Sequence, residues 1–116
     1  MEPLRRSLPR EVASVRRTRK EIRAEMIDAG CPPPHVDIVE YVVGELVTES
    51  VERGAGPMVL LVVSLAGDRT RIEVSDGLSL AGDISPLRDQ ILDAITSATG
   101  ITDISGGRML WAEIEV

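Results

Sequence analysis

His35 to Arg53 reads HVDIVEYVVGELVTESVER, and this stretch decides the fold. Its apolar residues recur at helical spacing, which predicts one amphipathic helix. Glu45 and Glu49 are four residues apart, so they stack on one face. Glu49 falls at the border of the buried stripe, where a carboxylate is costly unless it is paired, solvated or used. Two acids at the rim of an ordinary helix are the plainer interpretation. The predicted stripe contains Val36, Ile38, Val39, Val42, Val43, Leu46 and Val47, and the opposite polar face contains Asp37, Tyr41, Gly44, Thr48 and Glu52.

The composition predicts a single domain over residues 1–116, large enough to bury a core. The chain has no Phe, one Trp and one Tyr, so aliphatic residues and Met must build that core. Its net charge of −6 argues against nucleic acid as the main partner. Residues 1–30 hold eight Arg and Lys against five Asp and Glu, whereas the remainder holds five against fourteen. The basic N-terminal helix is therefore expected to face the acidic body or a protein partner.

Cys31 is the only cysteine, which excludes an intrachain disulfide and suits a reducing cytoplasm. No apolar run approaches membrane-spanning length, and no signal peptide is evident, so we expect a cytoplasmic protein without membrane contact. His35 is the only histidine. Because it follows three prolines at a helix start, it is expected to lie at the surface or cap the helix.

The remaining pattern predicts a helix, a second helix, a hairpin, a third helix and a second hairpin. This order indicates an α+β two-layer sandwich, with helices on one face of a mixed, largely antiparallel sheet. Pro9 suits the first turn of the first helix, and residues 31–34 form a stiff connector. The predicted elements are an extended segment at 1–8, helices at 11–28, 35–53 and 85–100, strands at 58–66, 70–75, 101–105 and 109–116, and a loop at 78–84. Met109, Trp111 and Ile114 are the predicted core residues of the last strand.

Three motifs, in this order, resemble the small bacterial anti-sigma-factor kinases of the histidine-kinase-like and Hsp90-like ATPase superfamily. GELVTES at 44–50 is similar to the E-L-V-T-N-A helix of that family. EVSDG at 73–77 is similar to a strand end that carries Asp, and GGRMLWAE at 106–113 is similar to the closing G-G-K-T-V-W-F-E hairpin. The resemblance covers nearly the whole chain and implies the histidine-kinase-like ATPase fold.

The resemblance also implies roles for individual residues. Glu45 matches the general base that accepts a proton from the attacking hydroxyl. Glu49 matches the Asn that holds the Mg²⁺ bridging the phosphates of ATP. Asp76, followed by Gly77, matches the acceptor of the adenine amino group. The family's Gly-rich lid, which cradles the phosphates with backbone N–H groups, should follow Gly77.

The chain departs from this pattern selectively. It contains no Asn, and the interval at 78–99 holds only one glycine, Gly82, with a predicted helix in place of the lid. A triphosphate would also meet Glu45, Glu49 and Glu52 with no glycine nest and no Lys nearby in sequence. Such repulsion costs several kcal/mol at an effective dielectric near ~20, against about 8 kcal/mol for a micromolar ligand. ATP and Mg²⁺ binding is therefore expected to be weak or absent.

Two function classes follow. The first is a protein-binding regulator in a partner-switching circuit, for which the resemblance implies a sigma factor or an anti-sigma antagonist as partner; homodimers are common in the family. The second is an active Mg-ATP-dependent serine kinase, with Glu45 as the base and Glu49 as the metal ligand. A third interpretation is that the motifs are coincidental in an ordinary α+β domain. Strand order decides it, because the resemblance implies that the two hairpins lie in one mixed sheet, with the Glu45 helix packed across it and a cleft above Asp76.

Overall fold

The computed structural model describes residues 2–78 and 84–115, and it contains three helices and five strands within those ranges. The strands form one sheet in the order β1-β2-β3-β5-β4, and each described strand pairs antiparallel to its neighbours. The elements are β1 (Leu4–Pro9), α1 (Val12–Asp28), α2 (Pro33–Arg53), β2 (Met58–Ala66), β3 (Arg69–Asp76), α3 (Pro86–Ile95), β4 (Ala98–Ile104) and β5 (Gly107–Glu115).

The core lies between the helices and one face of the sheet. The register brings Val63, Ile72 and Ala112 side by side across three strands, and all three are buried. The matching stripe of α2 is fully buried at Val39, Val42, Val43, Leu46 and Val47. The predicted α+β sandwich is therefore confirmed, although its sheet is wholly antiparallel in the described residues, where a mixed one was expected.

Several boundaries differ from the sequence prediction. The N-terminal segment is not merely extended, because it pairs with β2 as an edge strand that ends at Pro9. Pro9 therefore lies outside α1, and the prediction that it opens the helix is wrong. Pro33 and Pro34 belong to the first turn of α2, where a missing N–H costs nothing. The predicted loop at 78–84 lies mostly outside the described residues.

The third helix is shorter than predicted, because it ends at Ile95 and the chain enters β4 at Ala98. Gly100 lies opposite Trp111 in the sheet, where a Cβ would come within 2.8 Å of the indole ring. This glycine was interpreted as a helix terminator, but it makes room for the indole. Trp111 is half-buried beneath the Arg71 guanidinium, at 4.7 Å from the ring centroid. The buried residues of β5 are Gly107, Arg108, Leu110, Ala112 and Ile114. The core assignment of Ile114 is therefore confirmed, whereas Met109 and Trp111 are only partly buried and were wrongly assigned to the core.

The predicted polar face of α2 is not solvated throughout, because α1 packs against part of it. Gly44 is buried, and a Cβ at this position would lie 2.8 Å from Cδ of Arg19. The aliphatic part of the Arg19 side chain therefore crosses α2 where the helix has no side chain. Ile38, which was expected in the buried stripe, is 37% exposed.

His35 is buried and is neither a surface residue nor a cap, so that prediction is wrong. Its Nε2 lies 2.7 Å from Oγ1 of Thr70, and this contact joins the start of α2 to β3. Burial lowers the pKa of His35 below its ordinary value, and the backbone of Glu115 opposes the shift only in part. The folded protein consequently resists protonation of this ring more than the unfolded chain does.

Acidification is expected to destabilise the protein below about pH 6.5, the ordinary pKa of histidine. In that range His35 binds a proton in the unfolded chain but stays neutral in the folded protein. The free energy of unfolding is therefore retained above the unfolded pKa and decreases as the pH falls below it. The slope is at most about 1.4 kcal/mol per pH unit. Urea denaturation between pH 7.5 and 5.5 measures it. His35→Gln, which removes the only histidine, should flatten the curve; an unchanged slope contradicts the assignment.

Candidate functional site

The residues singled out by sequence occupy two neighbouring clusters at the C-terminal half of α2. Glu45 and Glu49 face the first turn of α3, and Asp76 lies at the end of β3 beside the last turn of α2. Gly77 follows Asp76 and donates its backbone N–H to the carbonyl of Ala55 at 2.8 Å. The fold thus brings all four predicted residues to one end of the sheet.

Arg88 of α3 contacts the carboxylates of Glu45, Glu49 and Glu52, which together form the acidic cluster. Its Nε donates to Oε2 of Glu45 at 2.9 Å, and its Nη1 donates to Oε1 of Glu49 at 2.8 Å. Its Nη2 lies 3.8 Å from Oε2 of Glu52. One guanidinium therefore faces all three acids, and the expectation that no cation offsets their charge is wrong. Sequence reasoning missed Arg88 because it is 36 residues beyond Glu52, in the helix that was interpreted only as a replacement for the lid.

Glu49 is fully buried, yet its carboxylate is not isolated. Besides Arg88, the backbone N–H of Ser85 donates to Oε1 at 3.2 Å, and Nε of Arg53 lies 3.3 Å from Oε2. Burial acts to lower the pKa of Arg88, but its bonds to Glu45 and Glu49 outweigh that effect and raise the pKa. The guanidinium therefore stays charged, and the cluster links α2 to the start of α3.

Asp76 forms a second, deeper cluster with Arg108 of β5. Nε of Arg108 lies 3.3 Å and 3.2 Å from the two carboxylate oxygens, and Arg108 is 1% exposed. The hydroxyl of Ser50 donates to Oδ2 at 2.6 Å, and the N–H of Leu78 donates to Oδ1 at 2.9 Å. Both oxygens thus have donors within the chain. Nη2 of Arg108 is buried without a hydrogen-bond partner, so this ion pair is incompletely satisfied.

Glycines allow the backbone to close tightly around Asp76. A Cβ at Gly54 would lie 2.4 Å from Oδ2 of Asp76, and one at Gly107 would lie 1.9 Å from its carbonyl oxygen. Any larger residue at either position would displace the aspartate. Arg108 stands within the GGRMLWAE motif, but its sequence gave no sign that it would pair with Asp76.

The residues present do not fit a Mg²⁺ site at Glu49. Among residues 2–78 and 84–115, no three His, Cys, Asp or Glu side chains are arranged to hold a metal ion. The oxygens of Glu49 already face Arg88, Ser85 N–H and Arg53, so a bound cation would have to displace a guanidinium.

Within residues 2–78 and 84–115, no helix combines the length and apolar character needed to cross a membrane.

The architecture, a long helix α2 laid across a five-stranded antiparallel sheet, matches the histidine-kinase-like ATPase fold. A solved structure with this fold is the crystal structure of the RsbU and RsbW domains of Rv1364c from Mycobacterium tuberculosis. It matches 99% of this chain with a TM-score of 0.77 and 21% sequence identity. The match covers 32% of that longer chain, so this chain spans about a third of its length.

No protein-family model and no curated protein matches this sequence. At 21% identity, the likeness to the solved structure shows the fold alone. The fold that the three motifs implied is thus confirmed, while the roles implied for Glu45, Glu49, Asp76 and Gly77 stay predictions.

Proposed function

We propose that this chain is a regulator of the anti-sigma-factor kinase type that acts by binding other proteins and does not use ATP. We take the third of the Rv1364c chain that it matches to be the RsbW domain, given the three sequence motifs. The proposed partners are a sigma factor or an anti-sigma antagonist, and the proposed compartment is the cytoplasm. Pairing with a second copy of the chain is part of the proposal.

The observation that carries the proposal is the occupied carboxylate of Asp76. An adenine amino group needs a free carboxylate oxygen, but both oxygens of Asp76 accept hydrogen bonds within the chain. The aspartate is also 6% exposed. A nucleotide would have to break a buried ion pair to bind there, and that cost opposes binding.

The acidic cluster supports the same conclusion. A general base must reach the proton that it removes, but the Glu45 carboxylate is held by Arg88, which opposes its action as a base. Glu49 could coordinate a metal ion only after its hydrogen bond with Arg88 had been broken. Arg88 is the cation that faces all three acids of this cluster, and they offset the charge with which it could attract a phosphate.

Calorimetric titration of the purified protein with Mg-ATP and with ADP is expected to give no saturable heat up to millimolar nucleotide. Asp76→Ala is a poor control because it breaks the buried pair with Arg108. Glu45→Gln is better, since Glu45 is partly exposed and its amide can still accept from Arg88. Saturable binding, with Mg²⁺-dependent phosphate transfer that Glu45→Gln abolishes, would contradict the proposal and support the serine kinase.

Partner binding needs its own test. The purified chain, mixed with sigma factors and antagonist proteins encoded in the same genome, is expected to form a complex on size-exclusion chromatography without nucleotide. A complex that forms only with Mg-ATP contradicts the nucleotide-independent mechanism. Failure to bind every candidate removes the main support for the function.

A further inference from the structure

A groove lies along α1 and reaches α2 at Glu40. It has a volume of about 640 Å³, and its lining combines three cations, one acid and three apolar side chains. Neither cluster of the candidate site contributes a side chain to it. The groove is lined by Val12, Ala13, Val15, Arg16, Arg19, Lys20 and Glu40.

Two arginines of α1 are compensated within the chain. Arg19 lies across Gly44, and its Nε is 3.9 Å from Glu40. Nη1 of Arg23 donates to Asp37 at 2.8 Å and to Glu40 at 2.7 Å. These ion pairs hold α1 against α2 and use the acids that α2 presents on this side.

Arg16 and Lys20 are different. Both are exposed, and neither side chain forms a hydrogen bond or an ion pair with any residue in the described ranges. They are four residues apart on α1, so their side chains project from the same face. Val12 lies one turn earlier on that face and is 78% exposed. The groove therefore presents two cations without an ion-pair partner and, one turn nearer the start of α1, the exposed apolar side chain of Val12.

We propose that this groove binds an acidic amphipathic helix of a partner protein. The helix would carry two carboxylates four residues apart, for Arg16 and Lys20, and an apolar residue one turn further, for Val12. Residues four apart on a helix are separated by about 6 Å along its axis, so two such carboxylates match the separation of Arg16 and Lys20 on α1. This inference rests on the proposed function and names the chemistry of the partner.

Nucleic acid fits the groove less well. Residues 31–116 carry fourteen Asp and Glu against five Arg and Lys, so the body of the protein repels a polyanion that extends beyond the groove. A short acidic helix can neutralise the two cations without meeting that charge. The apolar end of the groove also favours an amphipathic ligand, because burying Val12 gains hydrophobic free energy that a phosphate backbone cannot supply.

The probe is a fluorescein-labelled helical peptide with Glu at two positions four apart and Leu one turn on. Fluorescence anisotropy is expected to show saturable binding that weakens with salt. The double variant Arg16→Glu, Lys20→Glu should weaken binding roughly tenfold or more. Arg17→Glu is the matched control, because Arg17 is exposed on the same helix and does not line the groove. It should change affinity by less than about twofold.

Equal binding to the wild type and the double variant would overturn the proposal. So would equal binding of a scrambled peptide, or tighter binding of a DNA oligonucleotide at the same ionic strength. The double variant also separates this inference from the proposed function. If it still forms a nucleotide-independent complex with the sigma factor or antagonist at wild-type affinity, the function stands and the groove is not the binding surface.

Discussion

Replacing Arg108 with Met is expected to lower the free energy of unfolding by about 3 kcal/mol or more, because it leaves a buried carboxylate without its cation. Asp76 would retain the Ser50 hydroxyl and the Leu78 N–H as donors, so the loss arises from charge more than from hydrogen bonding. Methionine fills a similar volume without a charge, which limits the cavity contribution. Urea denaturation at neutral pH measures the change.

The double variant Asp76→Asn, Arg108→Met separates the charge effect from packing. It removes both charges, and asparagine can accept the Leu78 N–H with Oδ1 and donate its amide N–H to the Ser50 hydroxyl. Since Nη2 of Arg108 has no hydrogen-bond partner in the wild type, removing the whole pair should recover most of the lost stability. Additive losses from the two substitutions would contradict a direct ion pair between these residues.

Replacing Arg88 with Met is expected to lower the free energy of unfolding by about 2–4 kcal/mol, because the fully buried Glu49 side chain loses its contact with the guanidinium. Since Arg88 joins α3 to α2, the loss should be greatest locally. Hydrogen exchange should show earlier opening of the amides of 86–95 than of the central strands. Denaturation and native-state exchange on the same variant measure both effects.

Two further variants sharpen this prediction. Arg17→Met removes an exposed arginine from α1 and should change stability by no more than about 0.5 kcal/mol. Glu49→Gln, Arg88→Met removes the charge of the buried Glu49 as well as that of Arg88 and should be more stable than Arg88→Met alone. If the double variant is no more stable than the single one, Glu49 is not the carboxylate that Arg88 compensates.

These two ion pairs affect how nucleotide binding is interpreted. In the histidine-kinase-like fold, loss of binding after substitution at Asp76 or Glu49 would ordinarily implicate the side chain as a ligand. In this chain both side chains also hold secondary-structure elements together. A variant at either position must therefore be shown to fold before its binding data carry meaning, and Glu45 offers the cleaner test.

The regular elements could be predicted from sequence because their signals are local. The apolar run at 58–66 was assigned as a strand with the same bounds that the structure shows, and α2 followed from helical periodicity. The alternation of Ile72 and Val74 with charged neighbours also identified a strand with one buried face. Turn glycines and prolines then limited the connections, so the order of elements indicated a two-layer sandwich.

What the sequence by itself determined was this local pattern and, through three short motifs, the fold. Tertiary structure alone decided the pairing of β1 with β2, the role of Gly44 beneath Arg19, and the partners of the buried charges. Arg88 meets Glu45 across 43 residues, and Arg108 meets Asp76 across 32. Charge pairing has no sequence period, because an ion pair depends on where two side chains lie in space. Asp76 and the two glutamates therefore looked free in sequence but are engaged within the folded chain.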